Sequence, residues 1–125
     1  MTAMALLTAQ LRETLLANGR NRGADHVPVV KLFNPVGAAT WLATELDADG
    51  DMLFGLADLG FRCPELGSFS LSELRALRLP FGLGIERDRS FRTDQPLSVW
   101  AAAARSEGSL GEAERTLSEV SRHSG

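Results

Sequence analysis

The chain has one cysteine, two histidines, no tyrosine and a single lysine, Lys31, among its 125 residues. Each scarcity removes a class of protein. Cys63 has no partner for an intrachain disulfide and no Cys/His cluster has zinc-ligand spacing, so a reducing, cytoplasmic setting is expected rather than a secreted scaffold. No run of about 18 apolar residues occurs, because Gln10, Arg12 and Glu13 interrupt the leucines near the start; neither a signal peptide nor a membrane span is expected. There is no Gly-Lys-Ser/Thr triplet and no Gly-x-Ser-x-Gly elbow. Gly82-Leu83-Gly84 lacks the strand-then-helix setting and further glycines of a dinucleotide site, so it raises no expectation of nucleotide binding.

What is present is charge, unevenly spread. The net charge is −3. Between Thr40 and Leu66 stand Glu45, Asp47, Asp49, Asp51, Asp58 and Glu65 against Arg62, a local −5, whereas Arg75 to Arg105 carries six arginines against Glu86, Asp88 and Asp94, a local +3. Segregation of this kind can steer partners, but two differently charged solvated surfaces are the preferred account of it. The length suits one domain with one core.

The apolar spacing predicts a helix over Ala9–Asn18, with Thr8 as its N-cap, Leu15 facing inward and Gly19 as a left-handed end. Gly19 to His26 is polar and reads as a surface loop. Val27–Phe33 reads as a strand. Thr40–Asp47 and Met52–Gly60 read as a hairpin whose turn is Asp49-Gly50. A short strand follows at Glu65–Phe69, then a helix capped by Ser70 and Glu73 that buries Leu71, Leu74 and Leu77 and stops before Pro80. Gly82–Arg87 is a last strand, and Leu97, Trp100, Ala101 and Ala104 share a face of a helix closed by Gly108. The fold class is therefore α+β: a single domain over 1–108 with an antiparallel sheet of four or five strands and helices mainly on one face, followed by a marginal helical or disordered tail over 109–125.

Simple alternation across the hairpin sets Trp41, Glu45, Phe54, Leu56 and Asp58 on one face, with Leu42, Leu46, Leu53 and Leu59 on the other. The first face mixes aromatics with acids; left open, it is expected to anchor a partner, whereas under the C-terminal helix or a second subunit Trp41 is simply core. Its binding candidates are Lys31, Trp41, Glu45, Asp58 and Glu65, with Lys31 drawing its counter-charge from Asp58, Glu45 or Glu65. The two acids of the hairpin lie about 13 Å apart along the ladder at about 3.3 Å per residue, too far for paired glycosidase carboxylates at about 5 to 9.5 Å. Asp47-Ala48-Asp49-Gly50-Asp51 is not a calcium loop, since the places that need glycine and glutamate hold Met52 and Asp58. Cys63 would need a base such as His26, His123 lying in the tail. No metal ligand set and no cofactor is expected. An alternative nucleic-acid surface would use Arg75, Arg78, Arg87, Arg89 and Arg92.

The blocks Val29-Val30-Lys31-Leu32-Phe33-Asn34-Pro35, Thr40 to Asp47, Pro64-Glu65-Leu66-Gly67, Ser70 to Leu74 and Ile85-Glu86-Arg87-Asp88, in this order, resemble domain-of-unknown-function family 2958 from about Thr8 to Arg105. The resemblance implies a setting in bacterial genomes, phages and plasmids and brings no catalytic residues with it. The expectation is a non-enzymatic binding module, an accessory or counter-defence protein of mobile elements that engages a protein partner and no membrane. A nucleic-acid-associated protein stands second and a small hydrolase third. Oligomeric state stays open.

Overall fold

In the computed structural model, which describes the backbone of residues 5–124 and the side chains of 5–119, the first helix opens where its cap predicts. The Thr8 hydroxyl accepts from the Leu11 amide at 3.1 Å, and α1 spans Ala9–Gly19. Gly19 is not a left-handed end: Arg20 closes the helix in right-handed geometry, and Gly19 is needed for space, because a Cβ there would lie 2.3 Å from the Leu46 carbonyl oxygen.

Five strands follow among the described residues: β1 Val30–Phe33, β2 Thr40–Leu46, β3 Met52–Asp58, β4 Glu65–Ser70 and the two-residue β5 Glu86–Arg87. They form one open antiparallel sheet in the order β4-β3-β2-β1-β5. The hairpin is present, but its loop is longer than a two-residue turn. Asp47 N–H donates to Met52 O, Gly50 alone carries a positive φ of 76°, and the Asp49 carboxylate accepts from the amides of Asp51 and Met52.

The expected register holds from that loop to Glu45↔Phe54 and then breaks. Beyond it the pairs are Ala43↔Gly55, Leu42↔Leu56, Trp41↔Ala57 and Thr40↔Asp58, so Thr44 is the extra residue of a β-bulge. Its hydroxyl donates to Phe54 O at 3.2 Å, and its carbonyl accepts from the Asn18 side chain at 2.9 Å. The face assignment collapses at this point, because one inserted residue reverses the alternation of everything before it. Trp41 and Ala43 join Leu46 and Leu53 on one face, while Leu42 joins Phe54 and Leu56 on the other.

Both faces are covered. Leu6, Leu7, α1 and α2 (Leu71–Ala76) close over Val30, Leu32, Trp41 and Leu53; α3 (Leu97–Glu107) and α4 (Leu110–Ser124) close over Leu42 and Leu56 through Trp100, Ala104, Leu110 and Ala113. Helices mainly on one face is thus corrected to helices on both, within the α+β class expected. The segment after residue 108, expected as a marginal helical or disordered tail, is helical over Leu110–Ser124, with Leu110 and Ala113 fully buried. The polar character of that helix belongs to its outer side, leaving a narrow apolar stripe sufficient to dock. The side chain of His123 lies outside the described residues.

Three aspartates from distant segments cap the helices laid on this sheet. Ser70 Oγ accepts from the Glu73 amide as expected, but the reciprocal acceptor is Asp51, which takes the Ser72 amide at 2.8 Å and the Ser70 hydroxyl at 2.7 Å. Asp25, from the loop that reads as plain surface, accepts from the amide and hydroxyl of Ser98 at the start of α3. Asp58 accepts from the Leu110 amide at the start of α4. An anionic oxygen at a helix N-terminus answers both the unpaired amides and the positive end of the dipole. The second helix ends at Ala76, short of its expected length, and Leu77 turns outward in extended geometry, half exposed rather than buried.

Two outcomes follow from this construction. A Cβ on Gly55 would lie 1.8 Å from the Leu42 carbonyl oxygen, so Gly55→Ala should cost about 1 to 3 kcal/mol in urea unfolding, toward the upper end because the obstacle is backbone; an unchanged midpoint would contradict the bulged packing. The hydrogen bonds from Ser70, then from Ser72, hold the Asp51 carboxyl below its ordinary value of 3.8. A carboxyl depressed on folding adds stability that is complete above 3.8 and disappears as pH falls through the lower folded value. The stability gap between the native chain and Asp51→Asn should therefore be open at neutral pH and narrow on acidification below that value. A gap independent of pH would refute the charge-based cap.

Candidate functional site

The residues expected to form one binding face are separated. Trp41 is 6% exposed, in the core beneath α1, and Glu45 is buried on the opposite side of the sheet beside Phe54. The bulge divides them. Lys31 faces α4 rather than an open surface: its Nζ lies 2.6 Å from Glu114 and 3.4 Å from Asp88, neither of which is among the acids expected to pair with it. Asp58 is 3% exposed, its Oδ1 accepting from the Gly60 amide at 2.9 Å and its Oδ2 from the Leu110 amide at 2.8 Å. Of the five, only Glu65 lies on an exposed surface.

Lys31 and Asp58 are thus engaged in docking α4 to the sheet. Removing one partner of a buried polar pair leaves the other unsatisfied, at about 1 to 3 kcal/mol. Asp58→Ala should lower stability by that amount and, in hydrogen exchange, release the amides of α4 before those of β2 and β3. Uniform protection across the variant would show that Asp58 does not carry the helix.

Of the five arginines, Arg75, Arg78 and Arg87 lie about one cleft and Arg92 at a separate hollow. Arg75 and Arg78 line a cleft of about 610 Å³ beside the N-terminal segment, and Arg87 donates to the Ala5 carbonyl near it at 2.7 Å. Arg92 lines a separate hollow of about 230 Å³ with Thr93, Gln95 and Trp100, and its guanidinium is turned onto the carbonyls of Phe91 and Arg89. Cys63 is exposed, with its thiol 3.6 Å from a Glu65 oxygen, while His26 contacts the Asn21 carbonyl. Among the described residues no group of three His, Cys, Asp or Glu side chains is placed to hold a metal ion, and no helix is long and apolar enough to cross a membrane.

The outer edge of β4 has a different character. In an antiparallel strand the backbone groups of successive residues point to alternate sides. Leu71 N–H donates to Asp51 O, and Asp47 N–H to Met52 O. Counting by twos from these bonds turns the backbone of Phe69, Gly67 and Glu65 toward β3 and that of Leu66 and Ser68 outward, where no strand pairs with them among the described residues. At one end of this edge Ala57, Leu59, Phe61, Cys63 and Glu65 form a shallow hollow of about 220 Å³, with Phe61 81% exposed. Sequence reasoning missed this surface. Its signal was present in Leu59, Phe61 and Leu66, apolar residues clustered about a strand that carries Glu65 as its one charge.

These features define a small α+β domain built on an open antiparallel sheet, with helices on both faces and one long unpaired edge. A family model described as protein of unknown function (DUF2958) matches residues 6–111, and the chain belongs to that family. No curated protein and no solved structure matches it.

Proposed function

We infer that the chain is a binding module rather than an enzyme, and that it engages a protein partner by accepting an extended segment along β4. The supporting observation is the unpaired edge itself. β4 is six residues long, with no proline, no lysine and no arginine, and the hydrophobic Leu66, 44% exposed, lies opposite Leu56. Natural edges are ordinarily blunted by charge, proline, bulges or brevity, as the two-residue β5 is here. A peptide added to such an edge takes its affinity from main-chain bonds and its specificity from side-chain hollows. The hollow at Phe61 suits one apolar side chain, and Glu65 at its rim, within the acidic half of the chain, favours a basic residue beside it. The family resemblance supports an accessory role in mobile elements, counter-defence included.

The test is capture from the native host with and without nuclease, comparing the tagged native chain with Ser68→Pro and Phe61→Asp. Proline at Ser68 removes an outward amide while sparing the ladder to β3. A protein partner retained by the native chain and reduced about tenfold or more by both variants, at unchanged melting temperature, is the expected result. Equal retention by all three would eliminate the edge as the docking site. Loss of all captured material on nuclease treatment would favour a nucleic-acid-associated protein, the reading that the segregated arginines support.

A further inference from the structure

We propose that the cleft between α2 and the loop over residues 77–85 binds a nucleotide unit, free or within a single strand, independently of the β4 edge. Its floor is apolar, formed by Leu6, Leu77, Leu83 and Ile85, and its wall carries Arg75 and Arg78. Among the described residues neither arginine has an acidic oxygen within 4.0 Å; Arg75 acts through space on Asp51, a carboxylate already committed to capping α2. Two exposed guanidiniums above a greasy floor suit a ligand with an anionic end and a flat apolar body. The volume, about 610 Å³, lies within the range of small-ligand clefts, about 300 to 1,000 Å³.

The loop supplies the third element. Leu79 N–H donates to Leu83 O at 3.0 Å, closing a tight turn in which Phe81 and Gly82 both have left-handed backbone, φ 66° and 71°. Glycine takes that geometry freely, but phenylalanine does so against a steric penalty. The turn leaves Phe81 90% exposed at the rim, next in sequence to Gly82 of the cleft lining. A ring with so little cover is a platform rather than a packed anchor. Arginines that track phosphates and an aromatic face on which a base stacks are the parts from which sequence-tolerant single-strand sites are made. Arginine also matches phosphate better than lysine does, since its planar fork donates in pairs. The glycines of Gly82-Leu83-Gly84 serve the turn and do not cradle the phosphate, so the site bears no relation to a dinucleotide motif.

The probes are a fluorescein-labelled ten-residue oligothymidylate, read by anisotropy, and thymidine 5′-monophosphate, read by calorimetry, each at low and moderate salt. The expected result is oligonucleotide binding whose logarithmic salt slope is about −1.4, the value for two neutralised phosphates of a single strand. It should weaken about tenfold in Arg75→Gln/Arg78→Gln and about tenfold in Phe81→Gly. Phe81→Gly is the decisive variant, because glycine relieves the left-handed strain: its melting temperature should hold or rise while binding falls, an outcome that a structural role for the ring would reverse. Monophosphate binding with the same sensitivities assigns the cleft to the single nucleotide; binding by the oligonucleotide alone assigns it to a strand. Failure of both probes to bind at low salt overturns the proposal, as does binding that both variants leave unchanged. Ser68→Pro should bind both probes as the native chain does, which separates this site from the β4 edge; an equal loss in that variant would also overturn it.

Discussion

One inserted residue governs how this domain distributes its side chains. Thr44 adds a step to β2 without adding one to β3, and every residue before it changes sides relative to those after it. Without the bulge, Trp41 would share a face with Glu45, and a large aromatic and an acid would compete for the same layer. With it, Trp41 enters the layer beneath α1 and Leu42 the layer beneath α3 and α4. The bulge is fixed on both flanks: Asn18 holds its carbonyl from the helix side, and Gly55 leaves room for the displaced Leu42 carbonyl from the sheet side. Gly19 allows α1 to approach the same strand at Leu46. Two glycines and an asparagine, each unremarkable in composition, are spent on one irregularity.

That irregularity also explains what was legible beforehand. Elements with local signals are recovered: Thr8 opens α1, Ser70 opens α2, Gly108 ends α3 in left-handed geometry, and the antiparallel pairing of β2 with β3 is present. Their limits differ by a few residues, as at Val27, where β1 begins only at Val30. A bulge carries no composition signal, because Thr44 is an ordinary strand residue whose displacement is decided by Asn18 and Phe54. The docking of α4 was hidden for a related reason. Its polar sequence resembles a solvated helix until Lys31, 83 positions earlier, accounts for Glu114. Lys31 and Asp58, read as candidates for an outside partner, are engaged within the chain, the one by Glu114 and Asp88 and the other by the amides of Gly60 and Leu110.

With both faces covered, the surfaces left for other molecules are edges and loops. The sheet is asymmetric in this respect, ending on one side in the two-residue β5 and on the other in the six-residue β4. The acidic and basic halves of the sequence follow the same division, since Glu65 stands at the β4 hollow and Arg75 and Arg78 stand at the cleft beyond α2. An unpaired main-chain edge and an arginine-lined cleft therefore occupy different parts of a small domain.

The remote aspartate caps have a consequence for the way this chain acquires its structure. Asp25, Asp51 and Asp58 precede the helices they serve, by 73 positions for Ser98, 21 for Ser72 and 52 for Leu110. Ser70 and Ser109 cap α2 and α4 locally through the amides of Glu73 and Glu112, but the amides of Ser72, Ser98 and Leu110 meet their carboxylate acceptors only after a long loop has closed. Contacts of high sequence separation slow the search for the native topology and make the parts form together. Local serines start α2 and α4, yet each of the later helices completes its N-terminal hydrogen bonds only with strands and loops laid down before it, which ties its formation to theirs.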